Sequence, residues 1–371
     1  MEDGRWTGTL DDGTAVRIPG AFADWPPDDN QPPWTDVTYL RMYDHPDFNY
    51  TAYNTLRMYD ERLARPEHAN RPLWDAVAGV IPYYQKEFGI DGVMLDMGHA
   101  LPMPLKRRMV EEARQFNPEF AFWEENFVIA AASREEGYNA VMGYMVFDLH
   151  RPEGLRNLIN RLAHERLPIP FCAAAENHNT PRAAARNGNG RIYNYYTLPI
   201  CIAMPGIPFV HSGFELGETQ PINTGLGFTD EMLARYPTEK LPLFSEWAYN
   251  WTRADNLVEG VTYALRLRQQ YENLLLSPEP DSWRVGDCDN PHILVFTRHD
   301  GVRSLTIIAN TDMGHHQRGR ALIGGVHYLV LGVWGTPDAL PVQHGLTIDV
   351  DLSPGYVLVL EGNDLPLDGC G

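Results

Sequence analysis

Residues 89–96 read Gly-Ile-Asp-Gly-Val-Met-Leu-Asp, a short apolar run that ends in a carboxylate. Between residues 72 and 88 apolar side chains recur at helical spacing, and Gly89 supplies a stop, so the local order is helix, turn, strand. Enzymes built on parallel barrels keep their chemistry at the carboxyl ends of the strands. An acid directly after Val-Met-Leu is costly to place unless it is hydrogen-bonded or used. The pattern therefore predicts a catalytic role for Asp96.

Strand-like and helical runs alternate along the next part of the chain. The pattern predicts helices over residues 105–116, 153–165 and 256–276 and strands over residues 120–127, 139–148, 170–176 and 208–214. Strands that alternate with helices in this way indicate a parallel α/β arrangement. Beyond residue 283, β runs are separated by Gly and Asp turns, which predicts a separate β-sandwich.

The composition argues against several classes of protein. The formal net charge is -19 and no Lys/Arg cluster offsets it, so binding to nucleic acid is not expected. No Gly-x-Gly-x-x-Gly or Gly-Lys-Ser/Thr loop follows a strand, so a nucleotide- or phosphate-binding protein is a weak alternative. The chain shows no apolar leader and no stretch that could span a membrane. We expect a cytoplasmic protein without a membrane partner, although a truncated amino terminus would hide a leader.

Polar residues mark the carboxyl end of each predicted strand. Beyond Asp96, these ends carry Glu124-Glu125, Asp148, Glu176-Asn177-His178-Asn179, and His211 with Glu215. Retaining glycoside hydrolysis needs two carboxylates about 5 Å apart, and strand ends of one barrel converge that closely. For Asp148 and Glu215 a helix cap or a surface charge is the favoured interpretation. His178 lies between two asparagines, and this cluster favours contact with sugar hydroxyls.

Four segments resemble signatures of the α-amylase superfamily, glycoside hydrolase family 13. Residues 89–96 look like its fourth-strand motif, and residues 122–127, Phe-Trp-Glu-Glu-Asn-Phe, look like the fifth-strand segment that bears the general acid. Residues 176–182, Glu-Asn-His-Asn-Thr-Pro-Arg, are similar to the seventh-strand motif. Residues 206–217, Gly-Ile-Pro-Phe-Val-His-Ser-Gly-Phe-Glu-Leu-Gly, are similar to the eighth-strand motif. The four segments follow the order that the family has.

The resemblance implies an α/β fold in which a partial TIM-type (β/α) barrel, strands 4 to 8, is followed by a C-terminal antiparallel β-sandwich domain. We predict a catalytic barrel domain over residues 1–280, loop-rich over residues 1–55, and a sandwich domain over residues 281–371. The family's third-strand signature, an Asp followed by an Asn-His pair, is not found in residues 1–90. We therefore expect an N-terminally incomplete barrel. Truncation is favoured, and replacement by a partner chain or by a rearranged fold are the alternatives. Open barrel edges would promote self-association.

The resemblance also implies roles for individual residues. Asp96 is the expected nucleophile and Glu125 the expected general acid, with Glu124 as the alternative for that role. Asn179 stands in the place of the family's third acid, and His178 is expected to bind sugar. Further substrate contacts are expected from His99 on the acceptor side and from Glu124, Asn177 and Arg182. No cofactor or catalytic metal is predicted, and a structural calcium ion stays unassigned.

Two departures from the family pattern bear on the chemistry. Met94 stands where the family has an Arg two residues before the nucleophile, so Asp96 lacks that cationic partner. Asn179 still offers a hydrogen bond to a sugar hydroxyl, but it supplies no negative charge to an oxocarbenium-like transition state. A slower reaction is expected from the second change.

The predicted function is hydrolysis of α-linked glucans, maltooligosaccharides or related α-glucosides by a retaining double displacement. An α-glucan glycosyltransferase is the first alternative, because an acceptor sugar competes with water in the second step. A catalytically impaired carbohydrate-binding relative, or a fragment, is the second. Three features favour this second alternative: Met94, Asn179 and the missing third strand. The presence of Asp96 and Glu125 opposes it. The expected partner is an oligosaccharide or glucan.

Overall fold

The computed structural model describes residues 6–18, 42–44, 65–96, 98, 101–188, 190–243, 245–323, 326–331, 343–344 and 347–363. The chain forms two compact units, residues 1–142 and residues 143–371. Within the second unit the last helix ends at Leu275 and the first strand of an antiparallel region begins at Trp283. The change to β structure near residue 283 is confirmed, while the predicted domain limit after residue 280 stays a prediction.

A β-hairpin is the first described element of the first unit. Its strands β1 (Trp6–Thr9) and β2 (Ala15–Ile18) pair antiparallel. The turn between them contains Gly13 at a φ of 85°, in the left-handed region that glycine adopts readily. The prediction of a loop-rich region over residues 1–55 missed this hairpin, because its strands are only four residues long. Apart from the hairpin and residues 42–44, that region lies outside the described residues.

Helices and parallel strands alternate in the rest of the first unit: α1 (Arg71–Phe88), β3 (Gly92–Leu95), α2 (Met103–Phe116), β4 (Ala121–Glu124), α3 (Ala131–Glu135) and β5 (Ala140–Val141). The side chain of Asn70 caps α1 by accepting from the Leu73 N–H at 3.4 Å, and Gly89 ends the helix at a φ of 62°. The strands form a parallel sheet in the order β3-β4-β5. The predicted order of helix, turn and strand is confirmed.

The predicted strand over residues 139–148 is wrong beyond its first part. Strand β5 has only two residues, and the chain then enters the short helix α4 (Met145–Asp148). Gly143 adopts a φ of 73°, and a Cβ atom built on it would lie 2.9 Å from the Cβ atom of Phe171. The extended path therefore stops at Gly143. Asp148 ends a helix, where it pairs with Arg151 at 3.1 Å, instead of ending a strand.

The α/β part of the second unit continues with α5 (Pro152–His164), β6 (Cys172–Ala174), α6 (Ile192–Ala203), β7 (Ile207–Phe209), α7 (Asp230–Arg235), α8 (Val258–Gln270) and α9 (Glu272–Leu275). Strands β6 and β7 pair in parallel, with Cys172 opposite Ile207. Helix α6 was not predicted, because it is buried on nearly every side and therefore shows no amphipathic period. The helices predicted over residues 153–165 and 256–276 are confirmed, the second as two consecutive helices.

The antiparallel region contains nine described strands: β8 (Trp283–Val285), β9 (Asp287–Cys288), β10 (Ile293–His299), β11 (Arg303–Asn310), β12 (Gln317–Leu322), β13 (Val326–Leu331), β14 (Gln343–His344), β15 (Thr347–Leu352) and β16 (Val357–Asn363). They form two sheets, in the orders β14-β13-β16-β11-β10-β8 and β15-β12-β9. One buried cluster unites the inner faces of both sheets and includes Val295, Ile308, Ala321, Val350 and Leu360. The predicted β-sandwich is confirmed.

The parallel strands do not close a barrel within the described ranges, where they form the separate sheets β3-β4-β5 and β6-β7. Strand β3 pairs only with β4 among the described residues. Self-association through such an edge stays a prediction. No helix in the described part of the chain is both long and apolar enough to cross a membrane.

Candidate active site

The parallel pairing of β3 and β4 brings two carboxylates of the first unit together. Leu95 lies opposite Glu124 in the register, and the N–H of Glu125 continues the ladder by donating to the Leu95 carbonyl at 3.1 Å. Asp96 and Glu125 directly follow this pair of residues, so they lie next to each other just beyond the ends of β3 and β4.

Asp96 and Glu125 are close enough for paired chemistry. A carboxylate oxygen of Asp96 lies within 4.8 Å of one of Glu125. The side chain of Asp96 is exposed, whereas that of Glu125 is buried. Retaining glycosidases hold their two carboxyl groups about 5–5.5 Å apart, whereas inverting enzymes need a wider gap for water. The separation of these two oxygens agrees with the narrower of the two spacings.

Glu124 has a different environment from its neighbour. Its Oε2 atom accepts hydrogen bonds from Ser133 Oγ at 2.5 Å and from Asn126 Nδ2 at 3.4 Å, and its side chain is buried. Burial, together with the negative charges of Glu124 and Glu136, raises the pKa of Tyr138. Glu124 is thus held inside the first unit by its own hydrogen bonds.

Met94, Gly98 and His99 are close to Asp96 in the sequence. Met94, the third residue of β3, is 40% exposed and carries an apolar side chain. Gly98 is buried, and a Cβ atom built there would lie 2.7 Å from the hydroxyl oxygen of Tyr138, so only glycine fits without a shift. His99, predicted to face the acceptor, lies outside the described residues.

In the second unit a tight turn follows β6. The N–H of Asn179 donates to Asn177 Oδ1 at 2.9 Å, and the N–H of Asn177 donates to Thr180 Oγ1 at 3.0 Å. Such side-chain bonds to the local backbone replace the bonds that a strand or helix would provide. The Glu-Asn-His-Asn-Thr run therefore forms a fixed turn at the carboxyl end of a strand.

A buried ion pair anchors this turn. Arg182 Nη1 donates to Glu176 Oε1 at 2.7 Å, and the Ala183 N–H donates to Glu176 Oε2 at 2.5 Å. His211 Nδ1 lies 3.4 Å from the same carboxylate. Burial alone would raise the pKa of Glu176, but the hydrogen bond with His211, the charge of Arg182 and the Ala183 N–H outweigh it, so the pKa lies below its usual value. Glu176 is therefore ionised and paired at neutral pH.

His178 and Asn179 are the half-buried members of the turn. Asn179 Nδ2 lies 3.0 Å from His178 Nε2, and Asn179 Oδ1 accepts from Asn223 Nδ2 at 3.3 Å. The carbonyl of Asn179 accepts from the Leu226 N–H at 2.6 Å. The bonds with His178 and Asn223 fix the orientation of the Asn179 side-chain amide, and the bond from Leu226 fixes its backbone.

Asn177 and Arg182 are both almost fully buried, in contrast to His178. Burial disfavours a direct substrate contact for either residue, and that role stays a prediction. Arg182 does border a cavity of about 240 Å³, together with Pro181, Thr219, Pro221, Met232 and Tyr236. The volume is enough for roughly eight waters at ~30 Å³ each.

Sequence reasoning missed two residues that hold the second cluster. Arg182 Nη2 donates to the hydroxyl of Tyr249 at 2.9 Å, and Asn223 fixes the Asn179 amide. Both lie in irregular segments far from residues 176–182, so no periodicity or motif could have pointed to them. Glu215 accepts from the Gly213 N–H at 3.1 Å, a local turn contact, and its catalytic role was already disfavoured.

No protein-family model and no curated protein sequence matches this chain. Solved structures do match. The α-amylase of Anoxybacillus superposes with a TM-score of 0.58 at 18% identity, over 81% of this chain and 64% of that one. A noncanonic maltogenic α-amylase from Thermotoga neapolitana gives 0.60 at 13% identity, over 84% and 70%. The α-amylase of Geobacillus thermoleovorans, complexed with acarbose, gives 0.55 at 16% identity, over 79% and 64%.

At these identities the likeness shows the fold, which is that of α-amylases: a barrel-like α/β part followed by a C-terminal β domain. The fold that the resemblance implied is therefore confirmed in this coarse form. The chain spans less than two thirds of the length of the Anoxybacillus and Geobacillus enzymes.

Proposed function

We propose that the chain belongs to the α-amylase superfamily and cleaves α-linked glucans or maltooligosaccharides with retention of configuration. The pair Asp96 and Glu125 carries this proposal, because their carboxylate oxygens lie within 4.8 Å of each other. Three further observations support it: the fold, the order of the four motifs and the hydrogen bonds that hold Glu124 away from the pair.

In the first step a carboxylate oxygen of Asp96 attacks the anomeric carbon of a glucosyl unit. The bond from that carbon to the leaving oxygen breaks while Glu125 gives its proton to that oxygen. In the second step Glu125 takes a proton from water, the water oxygen bonds to the anomeric carbon, and Asp96 leaves as a carboxylate.

A glycosyltransferase would follow the same first step. An acceptor sugar would then replace water, and its hydroxyl would lose the proton to Glu125. The contacts proposed for His178 and Asn179 with ring hydroxyls rest on the sequence resemblance and on the fixed orientation of the Asn179 amide.

A carbohydrate-binding relative with impaired chemistry is the second candidate. Its specific support is that Asn179 and Met94 replace two charged groups of the family pattern. An amide at position 179 binds a hydroxyl without stabilising positive charge on the ring. This candidate predicts that maltooligosaccharides bind and are not turned over.

Trapping of the glycosyl-enzyme separates these candidates. The purified chain is treated with a fluorinated α-glucosyl fluoride that stalls the covalent intermediate, and peptides are mapped by mass spectrometry. We expect one fluoroglucosyl unit on the peptide that contains Asp96, and no label in the Asp96→Asn variant. Label on Glu124 or Glu125 would overturn the assigned roles. Maltooligosaccharide binding without any label would favour the binding relative.

A further inference from the structure

The main chain just after Asp96 packs against the tip of Tyr138. Gly98 is buried, and a Cβ atom built on it would lie 2.7 Å from the Tyr138 hydroxyl oxygen and 3.1 Å from the Leu95 Cβ atom. The φ of Gly98 lies outside the left-handed region, so these contacts, and not the backbone conformation, oppose an alanine there. The Tyr138 hydroxyl therefore occupies the space of a side chain at position 98, two residues after Asp96.

Tyr138 is itself fixed to the strand that leads to Glu125. Its N–H donates to the Ser133 carbonyl at 3.1 Å, and the N–H of the next residue, Asn139, donates to the Phe122 carbonyl at 2.8 Å. In return, Asn139 Oδ1 accepts from the Phe122 N–H at 2.8 Å. Phe122 belongs to β4, so the contact with Gly98 ties the turn after β3 to the neighbouring strand.

The hydroxyl of Tyr138 is costly where it lies. It is buried and has no hydrogen-bond partner in the part of the chain that the structure describes. A hydroxyl buried in this way lowers stability, and a phenylalanine would avoid the loss. Burial and the nearby negative charges raise the pKa of Tyr138, so the hydroxyl does not act as a base at neutral pH. The contribution that remains to it is the volume that it fills beside Gly98.

The position of the Asp96 carboxylate depends on its backbone. The side chain is exposed, and no described residue forms a hydrogen bond or ion pair with it. On one side of Asp96 the Leu95 carbonyl accepts from the Glu125 N–H at 3.1 Å. On the other side Gly98 rests on Tyr138. These two contacts fix the chain before and after Asp96.

We propose that Tyr138 is a positioning residue for the nucleophile, because its hydroxyl, packed against Gly98, holds the turn after β3 where Asp96 faces the anomeric carbon. The proposal deepens the proposed function and rests on it. Tyr138 acts through Gly98 and not on the substrate. Displacement of a reacting group by about 1 Å lowers the rate on the order of 10²-fold, so a contact of this kind matters for catalysis.

Two single variants test the contact from its two sides. Gly98→Ala should push the turn away and lower kcat on maltooligosaccharides on the order of 10²-fold. Tyr138→Phe should lower kcat about tenfold, since the turn can settle into the freed space. Its midpoint of urea unfolding should stay the same or rise, because an unpaired hydroxyl is removed. A residue with a merely structural role would not lose activity while stability is kept.

The matched controls lie on α1 in the same unit. A Cβ atom built on Gly79 meets nothing within 4 Å, and the side chain of Tyr83 is exposed. Gly79→Ala and Tyr83→Phe should therefore have the kcat of the wild type.

The double variant gives the sharpest readout. In the Tyr138→Phe background an alanine Cβ at position 98 would keep the 3.1 Å contact with Leu95 and lie 3.6 Å from the ring carbon that carried the hydroxyl. Gly98→Ala should therefore lower kcat by at most about fivefold in that background, because residues in direct contact are not additive.

α-Glucosyl fluoride shows which carboxylate is displaced. Its leaving group needs little protonation, so it bypasses the general acid Glu125 but still needs attack by Asp96. Both single variants should lose as much activity on the fluoride as on maltooligosaccharides. Activity on the fluoride at the wild-type level would mean that the contact acts through Glu125 and would overturn the proposal.

The remaining outcomes separate this proposal from the proposed function. If Gly98→Ala loses the same factor in both backgrounds, or if Tyr138→Phe has the kcat of the wild type, the positioning role is overturned. Turnover and a label on Asp96 in the wild type would then leave the proposed function standing. If Gly98→Ala does not fold, the kcat of Tyr138→Phe decides. If the wild type shows neither turnover nor label, the proposed function fails and the positioning role fails with it.

Discussion

The cluster after β3 and the cluster after β6 each begin with a carboxylate, Asp96 and Glu176. The two carboxylates differ in exposure and in hydrogen bonding. Asp96, after β3, is exposed, and no residue in the described part of the chain forms a hydrogen bond or ion pair with its carboxylate. Glu176, after β6, is 1% exposed and receives hydrogen bonds from Arg182 and the Ala183 N–H. A nucleophile needs an open approach, whereas a buried ion pair fixes the backbone. Position at the carboxyl end of a strand therefore does not by itself make an acid catalytic.

The same contrast appears within the first cluster. Glu124 and Glu125 are adjacent and both buried, Glu124 as the last residue of β4 and Glu125 directly after it. Glu124 accepts from Ser133, and Glu125 lies beside Asp96. Adjacent buried acids thus have different neighbours, and under the proposed function only Glu125 takes part in the chemistry.

The strongest test of the comparison removes the exposed carboxylate. Asp96→Asn should lower kcat on maltooligosaccharides on the order of 10⁶-fold, the scale on which removal of a nucleophile acts. The matched control is Asp91→Asn, which changes an exposed acid at the other end of the same strand and should leave kcat unchanged. Steady-state kinetics measures both. A kcat of Asp96→Asn within tenfold of the wild type would remove the catalytic assignment.

The adjacent glutamates offer the next test. Glu125→Gln should lower kcat by about 10²–10⁴-fold, because the leaving oxygen no longer receives a proton. The loss should be smaller with α-glucosyl fluoride, whose leaving group needs little protonation. Glu124→Gln keeps an oxygen that can accept from Ser133, so it should retain most of the activity. The opposite ranking of the two variants would transfer the role of general acid to Glu124.

The buried ion pair should matter for stability. Glu176→Gln leaves the charge of Arg182 without its carboxylate and should lower the free energy of unfolding by about 3–5 kcal/mol. The control is Glu165→Gln, which breaks an exposed pair with Arg161 on α5 and should cost under about 1 kcal/mol. Urea denaturation of both variants gives the values. Equal losses would show that burial adds nothing to the Glu176 pair.

The pH dependence of that loss follows from the lowered pKa of Glu176. The usual pKa of the side chain is 4.5. Its stabilising contribution is therefore fully present above that pH and is lost as the pH falls through the lower folded-state value. The difference in unfolding free energy between the wild type and Glu176→Gln should be the same at pH 7 and pH 5.5 and should shrink only below pH 4.5. A difference that already shrinks at pH 5.5 would contradict the depressed pKa.

A smaller pH-dependent change in the free energy of unfolding is expected from His150, which also lies in the second unit. Burial, and then the charges of Arg186 and Arg151, lower its pKa from 6.5 to about 4. Between these values the unfolded chain binds a proton that the folded chain does not, so stability should fall as the pH drops from 6.5 towards 4. The His150→Gln variant should show a flatter pH dependence in this window, measured by urea denaturation at pH 7 and 5.5. An unchanged slope would assign the proton uptake to another group.

Much of the fold follows from local patterns that the sequence displays. Helix α1 lies between a capping Asn70 and Gly89. The apolar period over residues 72–88 therefore predicts both of its ends to within one residue. Three strands of the antiparallel region, β10, β11 and β16, were visible as apolar runs between turns. Helix α6 gave no such signal, because a helix that is buried all round has no polar face to set a period. The end of β5 was equally hidden, since it depends on the contact between Gly143 and Phe171.

The sequence by itself determined the fold class, the strand that leads to Asp96 and the candidate acids, because periodicity, glycine stops and motif order are local properties. Only the tertiary structure decided which acids meet. The parallel register of β3 and β4 joined Asp96 to Glu125 within 4.8 Å, and packing around Arg182 turned Glu176 into a buried partner. Distances between side chains on different elements, and the water that packing excludes from them, depend on contacts that are remote in the chain, so no local pattern encodes them.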